Sequence, residues 1–292
     1  MNGKPIRIVF EKGVELHCIK DTWFIQSTSG KQSGMSPQEI AKKYGIRPVL
    51  ETLRISPGIE RTSLLPATRM GRLSEELSEI QTISLQDMSF LHVQNLGYIM
   101  GALYYHCEKL VEIYTKVWYS GTHHTPPISV GERYTLAYEP EPFYEFDALI
   151  TVARRSYNTI GHFIWNAFYP KKGNAPDNFE RTIELCRDNL PLTLLNRLDF
   201  SHSQFGTRVT EYRDCIQHCN PVFNWTPYAT MEQIERGIWA ASILIPDNPR
   251  ERSPKKFKYD SRIDALTYGW ELTTEIFELA REILKVLPQR AK

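Results

Sequence analysis

The run Arg213-Asp214-Cys215-Ile216-Gln217-His218 sets an arginine and a histidine five residues apart, with an acid directly after the arginine. A guanidinium is a planar, permanently charged fork suited to a phosphodiester anion, and an imidazole gives or takes a proton near neutral pH. On a helix, Asp214 and His218 share a face because they are four apart, and Arg213 lies beside it. Such a set could catalyse metal-independent attack at phosphorus. Arg213 would stabilise the developing charge, His218 would act as general acid or base, and Asp214 would orient its neighbours. The competing reading is a solvated arginine and a histidine that favours the negative end of the helix dipole.

Other candidates carry less. Arg197-Leu-Asp-Phe-Ser-His202 repeats the spacing, but a leucine follows the arginine and the pair straddles an expected helix end near Ser201, so it reads as a decoy. Arg155 and His162, seven apart, would share a helical face; Arg155 reads as a supporting residue and His162 as a packed core histidine. Cys215, His218 and Cys219 lie close together, yet no second cluster with zinc spacing exists, so no metal site is expected. Phosphate-cradling glycine loops and the nucleophile-elbow pentapeptide are absent. The run from Ser36 to Ile46 looks like the first half of a helix-turn-helix, but Arg47-Pro48 stands where the turn should be, which favours a structural helix. Lys255, Lys256 and Lys258, with Arg250 and Arg252, read as a solvated turn.

The positioning elements follow from periodicity. Apolar residues recur at helical spacing from Ser84 to about Trp118 and again from about Phe143 to Phe168, where Pro170 stops the pattern. Shorter helices are expected from near Asp177 to Asn189, from Leu190 to about Phe200, and from Thr207 to Cys219, which Pro221 ends. Ser261 with Asp264 is expected to cap a last amphipathic helix running from Leu266 to Leu287. Alternation over residues 5–28 predicts a small strand meander, and Ser36-Pro37 with Glu39 predicts the start of a short helix. Residues 48–66, broken by Pro48, Pro57, Gly58 and Pro66, read as short helices and connections. Alternation from Ile238 to Ile245, a turn at Pro246-Asp247-Asn248-Pro249 and the run Phe257-Lys258-Tyr259 predict a β-hairpin within residues 236–260.

The chain is therefore expected to be mostly α: a helical bundle over residues 81–292 with an inserted C-terminal β-hairpin, preceded by a strand-containing accessory region over residues 1–80. Its 292 residues can bury a substantial core, and 41% hydrophobic with 24% charged residues is the composition of a globular protein. A balance of 35 basic against 34 acidic residues gives no global attraction for nucleic acid, so any anion must be held locally. Without an apolar leader or a spanning stretch the expected location is the cytoplasm, with no membrane partner. The five scattered cysteines are then expected to be reduced and mostly buried.

Tyr212-Arg213-Asp214-Cys-Ile-Gln-His218 in a late helix, preceded by the long helix that opens Phe143-Tyr-Glu-Phe-Asp-Ala-Leu-Ile and carries Arg154-Arg155 near its middle, resembles the HEPN superfamily of helical bundles over about residues 84–220. The resemblance implies a bundle of HEPN type that pairs with a second copy, so that two Arg-His motifs line one cleft. It also implies a metal-independent endoribonuclease with no cofactor, acting on RNA in toxin–antitoxin systems or phage defence, with an antitoxin or regulatory protein as a further partner. Arg213, His218 and Asp214 would be catalytic, with Arg155 and Tyr212 in support. Many HEPN-like bundles have lost catalysis, and the alternative it implies is a silent scaffold or binding module in a regulatory or defence complex.

Overall fold

The computed structural model describes the backbone of residues 6–10, 14–19, 22–27, 48–56, 59–66, 70–86, 91–124, 129, 132–138, 140–169, 173–218, 228–235, 238–251 and 253–286, with most side chains in those ranges from residue 73 onward. The short helix expected at Ser36 lies outside the described residues. The described chain is mostly helical with a smaller β component, and among the described residues no helix is long and apolar enough to cross a membrane.

Three strands, β1 (Ile6–Phe10), β2 (Val14–Ile19) and β3 (Thr22–Ser27), form the expected meander, antiparallel throughout and in register from Ile6 opposite Cys18 and Val14 opposite Ser27. Residues 48–66 differ from the expectation of short helices. They form strands β4 (Pro48–Ser56) and β5 (Ile59–Pro66), an antiparallel hairpin in which the prolines stand at strand ends, where a missing N–H is tolerated. Two more strands flank the bundle helices, β6 (Arg133–Tyr138) and β7 (Tyr228–Glu235), and β8 (Ile238–Ser242) completes a sheet of order β4-β5-β8-β7-β6. Its β5–β8 pair is parallel, with Thr62 opposite Ile238, so the sheet closes across a long sequence separation.

The hairpin expected within residues 236–260 is also displaced. Strand β8 pairs with β7, upstream, and Phe257–Tyr259 contributes no strand. Downstream of β8 the chain makes 3-10 turns at Pro249–Glu251 and Pro254–Lys256, and returns to form a single antiparallel bridge between Leu244 and Asp264. Two prolines that begin those turns, and an Asn248 side chain that accepts from the Lys258 amide at 2.7 Å, explain why a regular second strand gives way there.

Among the described residues, seven helices build the bundle: α1 (Met70–Gln86), α2 (Leu91–His124), α3 (Glu141–Phe168), α4 (Phe179–Cys186), α5 (Leu192–Ser201), α6 (Thr207–His218) and α7 (Ala265–Val286). Helix α2 buries Leu96, Leu103, Leu110 and Val117 at sevenfold spacing, and α3 buries Phe146, Leu149, Ala153, Tyr157, Ile160 and Ile164 against it. Each Leu, Ile, Val or Phe among them contributes about 1.5–3 kcal/mol when fully removed from water. Helix α7 crosses both. Gly269 makes that crossing possible, because a Cβ there would stand 2.6 Å from a Leu149 methyl. Helix α1, which lies outside the helices expected from periodicity, buries Leu73, Glu76 and Ile80, and Glu76 accepts from Arg281 of α7 at 3.2 Å.

The start of α7 is held by Asp264 itself, not by Ser261. The buried Asp264 carboxylate accepts from the Ile243 amide at 3.0 Å, the Thr267 amide at 2.9 Å and the Tyr114 hydroxyl at 2.7 Å, while Tyr114 in turn accepts from the Leu266 amide at 3.1 Å. Asp264→Ala leaves the amides of Ile243 and Thr267 and the Tyr114 phenol without their acceptor. We expect it to lower stability by about 2–4 kcal/mol, read as a lower urea midpoint at unchanged m-value. A midpoint equal to that of the parent would show the carboxylate to be dispensable.

Candidate functional site

One cavity of about 530 Å³ lies beside the motif helix, a volume in the range of small-molecule sites. Helix α3 supplies Arg154 to its lining. Asn178 and Glu180 come from the start of α4, where the Asn178 side chain caps the helix by accepting from the Arg181 amide. His202 comes from the junction of α5 and α6, and Thr207, Thr210, Glu211 and Asp214 from α6 itself. Pro249 and Arg250 close the far side from the first 3-10 turn.

The junction has unusual local geometry. From His202 to Gly206 the chain makes a π turn, in which the Thr207 amide donates to the His202 carbonyl five residues back. Such turns widen the helix by one residue and often occur at functional sites. The ring of His202 folds back over Gly206, whose missing side chain is required: a Cβ there would meet the imidazole Cδ2 at 2.8 Å. Thr207 and Thr210 donate their hydroxyls to the carbonyls of His202 and Gly206, at 3.2 and 2.9 Å, and keep lone pairs for the cavity.

The residues expected to act fall into three groups. Asp214 lines the cavity and receives the Arg213 guanidinium at 2.9 Å, with about a third of each side chain exposed. Tyr212 faces the opposite way, buried against Phe146 and Tyr268, and its hydroxyl donates to the Pro246 carbonyl at 2.6 Å. Burial pushes that phenol up to about 12. Its place is the core, where it fastens α6. Arg155 is exposed on α3, and the His218 side chain lies outside the described residues. His162 is half-buried, its Nε2 enclosed without a hydrogen-bond partner.

Arg154 and His202 at the cavity, like Glu180 beside them, are not among the residues that the sequence motif points to. Arg154 could have been found from helix phase. At about 100° per residue it stands about 100° from the core position Ala153, on the flank of the apolar face, while Arg155 stands about 200° away and points to solvent. His202 was read as half of a decoy pair, and the two halves have separate fates. Arg197 is drawn into α7, paired with Glu275 and with Glu282 at 3.0 Å. His202 turns into the cavity.

Electrostatics tune both groups. Burial lowers the Arg154 guanidinium, with Asp214 opposing that shift and Arg213 adding to it. Burial also lowers the His202 imidazole below its ordinary 6.5, partly offset by Glu180 and reinforced by Arg154. His202 is therefore neutral at pH 7, with one ring nitrogen able to accept and the other to donate. Cys215, at the cavity edge, is buried, as are Cys107 and Cys186. Among the described residues no three His, Cys, Asp or Glu side chains gather as a metal ion would require.

No protein-family model, curated protein or solved structure matches the chain.

Two stability tests follow from these surroundings. Arg197→Ala leaves Glu275, nine-tenths buried, with no cation beside it, and we expect a loss of about 2–4 kcal/mol in urea unfolding; an effect below about 0.5 kcal/mol, the level of a surface pair, would refute the tie. Asp147, two turns before Arg154 on α3, has an enclosed Oδ1 with no partner, and burial alone pushes its carboxyl from 3.8 up to about 7. Between those values the folded chain keeps a proton that the unfolded chain has released, so stability falls as pH rises through that window. Asp147→Asn should flatten this fall and raise stability at pH 8 by about 1–3 kcal/mol. Parallel pH profiles for parent and variant would contradict it.

Proposed function

We propose that the chain is a metal-independent endoribonuclease of HEPN type, working as a homodimer on RNA, with an antitoxin or other regulatory protein as partner in a toxin–antitoxin or phage-defence setting. One observation supports this reading above the others: the motif helix α6 opens on a polar cavity, with Asp214 lining it beside Arg154 and His202. The ribose hydroxyl is the nucleophile available without metal-bound hydroxide. It attacks the adjacent phosphorus, the bond to the 5′ oxygen breaks, and Arg213 meets the negative charge that collects on the phosphoryl oxygens. His218 moves the proton. A second copy brings a second Arg213 and His218 to the same phosphate.

A silent binding module is favoured by a different observation. Arg213 is already engaged by Asp214, and Arg250 by Glu211 at 2.6 Å, so both cations must be released before they can hold phosphate.

Incubation of purified protein with single-stranded RNA in EDTA separates the two. Cleavage should leave cyclic phosphate ends and spare DNA, which lacks the hydroxyl. Arg213→Ala and His218→Ala should each reduce the rate by about 10² to 10⁴ at unchanged thermal stability, and light scattering should give the mass of a dimer. If His218→Ala cuts as fast as the parent, or the parent cuts no RNA, the catalytic reading falls and the binding module stands.

A further inference from the structure

The charged groups of the cavity divide into two sets. Asp214 is held by Arg213 and Glu211 by Arg250, so those four charges are matched within the protein. Arg154, His202 and Glu180 line the same cavity, and among the described residues none of the three side chains has a hydrogen bond or ion pair. A half-buried arginine, a half-buried imidazole set in place by a π turn and a glycine, and an exposed carboxylate thus border one space without bonding to one another.

We infer that this cavity binds a sugar phosphate monoester, with the phosphate on Arg154 and the sugar hydroxyls on His202 and Glu180. The unpaired guanidinium calls for an oxyanion, and its fork suits phosphate. The carboxylate accepts from hydroxyls and would repel a second anion, so charge and hydroxyl must sit at different ends of the ligand. The imidazole offers one donor and one acceptor, as a hydroxyl needs. The two threonine hydroxyls, whose protons are committed to the π-turn carbonyls, add acceptors only. Among the lining residues Cys215, Pro249 and the threonine methyls are the apolar contributors and no Phe, Tyr or Trp is present, so the lining favours a polar ligand. Walls on several sides, from α3, α4, α6 and the 249–251 turn, suit a terminal group better than a strand passing through. The source is either a free sugar phosphate or the phosphorylated end of an RNA.

Isothermal titration calorimetry with ribose 5-phosphate tests the site, with ribose and inorganic phosphate as partial ligands. We expect ribose 5-phosphate to bind at least about tenfold more tightly than either part, and Arg154→Met, His202→Asn and Glu180→Gln each to weaken it by about tenfold, the scale of one charge-assisted hydrogen bond. Inorganic phosphate binding as tightly as ribose 5-phosphate, or three variants binding like the parent, would overturn the inference. Histidine ring resonances of the unsubstituted protein give a readout that does not depend on folding of a variant. The His202 signal, assigned by its absence from His202→Asn, must move on saturation with ribose 5-phosphate, and a stationary signal refutes the site. Displacement of bound ribose 5-phosphate by a 5′-phosphorylated RNA, but not by its 5′-hydroxyl counterpart, would assign an RNA end as the source; no displacement would assign the free sugar phosphate. Because binding is read without turnover, loss of RNA cleavage in Arg213→Ala or His218→Ala leaves this result untouched.

Discussion

A single buried carboxylate joins the parts of this protein that would otherwise be free to move past one another. Asp264 takes four donors, the amides of Ile243 and Thr267 and the hydroxyls of Tyr114 and Thr267, so the exit of the sheet, the middle of α2 and the first turn of α7 meet at one point. Burial pushes the Asp264 acid upward, and its hydrogen bonds pull the other way without cancelling the shift. A carboxylate in such a place is tolerated only because every lone pair is used. With one partner missing, the desolvation cost would fall on the group left behind. The node therefore acts as an all-or-none constraint on where α7 begins.

The placement of α7 propagates to the cavity through a short series of contacts. Helix α7 carries Glu275 and Glu282, which draw Arg197 and hence α5 onto the bundle. The end of α5 is fixed a second time, where the buried Tyr157 hydroxyl of α3 lies 3.0 Å from the Ser201 hydroxyl. The very next residue is His202. The π turn that starts there absorbs one extra residue before α6 resumes, and α6 is pinned in turn by Tyr212 to Pro246 and by Arg208 to the Asp247 carbonyl at 3.2 Å. Those two bonds also set the approach of the 249–251 turn, which carries Arg250. The α5–α6 junction, α6 and the 249–251 turn thus rest on buried or part-buried polar contacts of the bundle, and such contacts specify geometry more sharply than apolar packing alone.

How far this was legible in the sequence depends on the range of the signal. The helices α3, α6 and α7 stand within a few residues of their expected limits, and α2 overlaps its expected span while starting and ending about a turn and a half or more later, because a stripe at 3.6-residue spacing is a local property of the chain but its caps are not. Helix α1 also carries Leu73, Glu76, Leu77 and Ile80 at helical spacing, but a charged residue occupies one position of the stripe, buried only because Arg281 of α7 answers it from across the fold. Strands β4 and β5 differ from expectation for a related reason. Pro48 and Pro66 resemble breakers until it is known that they stand at strand ends, and the β5–β8 pairing joins residues far apart in the chain. At the site, Asp214 was readable from the motif and Arg154 from helix phase. His202 was not, since a π turn changes the angular relation of residues on its two sides. Arg197 and His202, five apart in the sequence, consequently serve different ends of the molecule.

The charge arrangement of the cavity limits what can bring a ligand to it. With Arg213 beside Asp214, Arg250 paired with Glu211 and Arg154 within the field of Asp214 and Glu180, each of these cations at or beside the cavity has a carboxylate near it. The whole chain carries a formal net charge of only +1. Such a surface projects little field beyond the Debye length, about 8 Å at physiological salt, so an anion is not steered from a distance. Recognition must come from contact: a guanidinium fork, a neutral imidazole and a carboxylate in fixed positions discriminate by geometry, and a small rigid ligand meets that demand directly. A long polyanion gains less, since most of its charges would face solvent or unmatched acids. For RNA to be held along its length, further cations must arrive from outside this cavity, and a second copy placing its own Arg213 across the cleft is the simplest source.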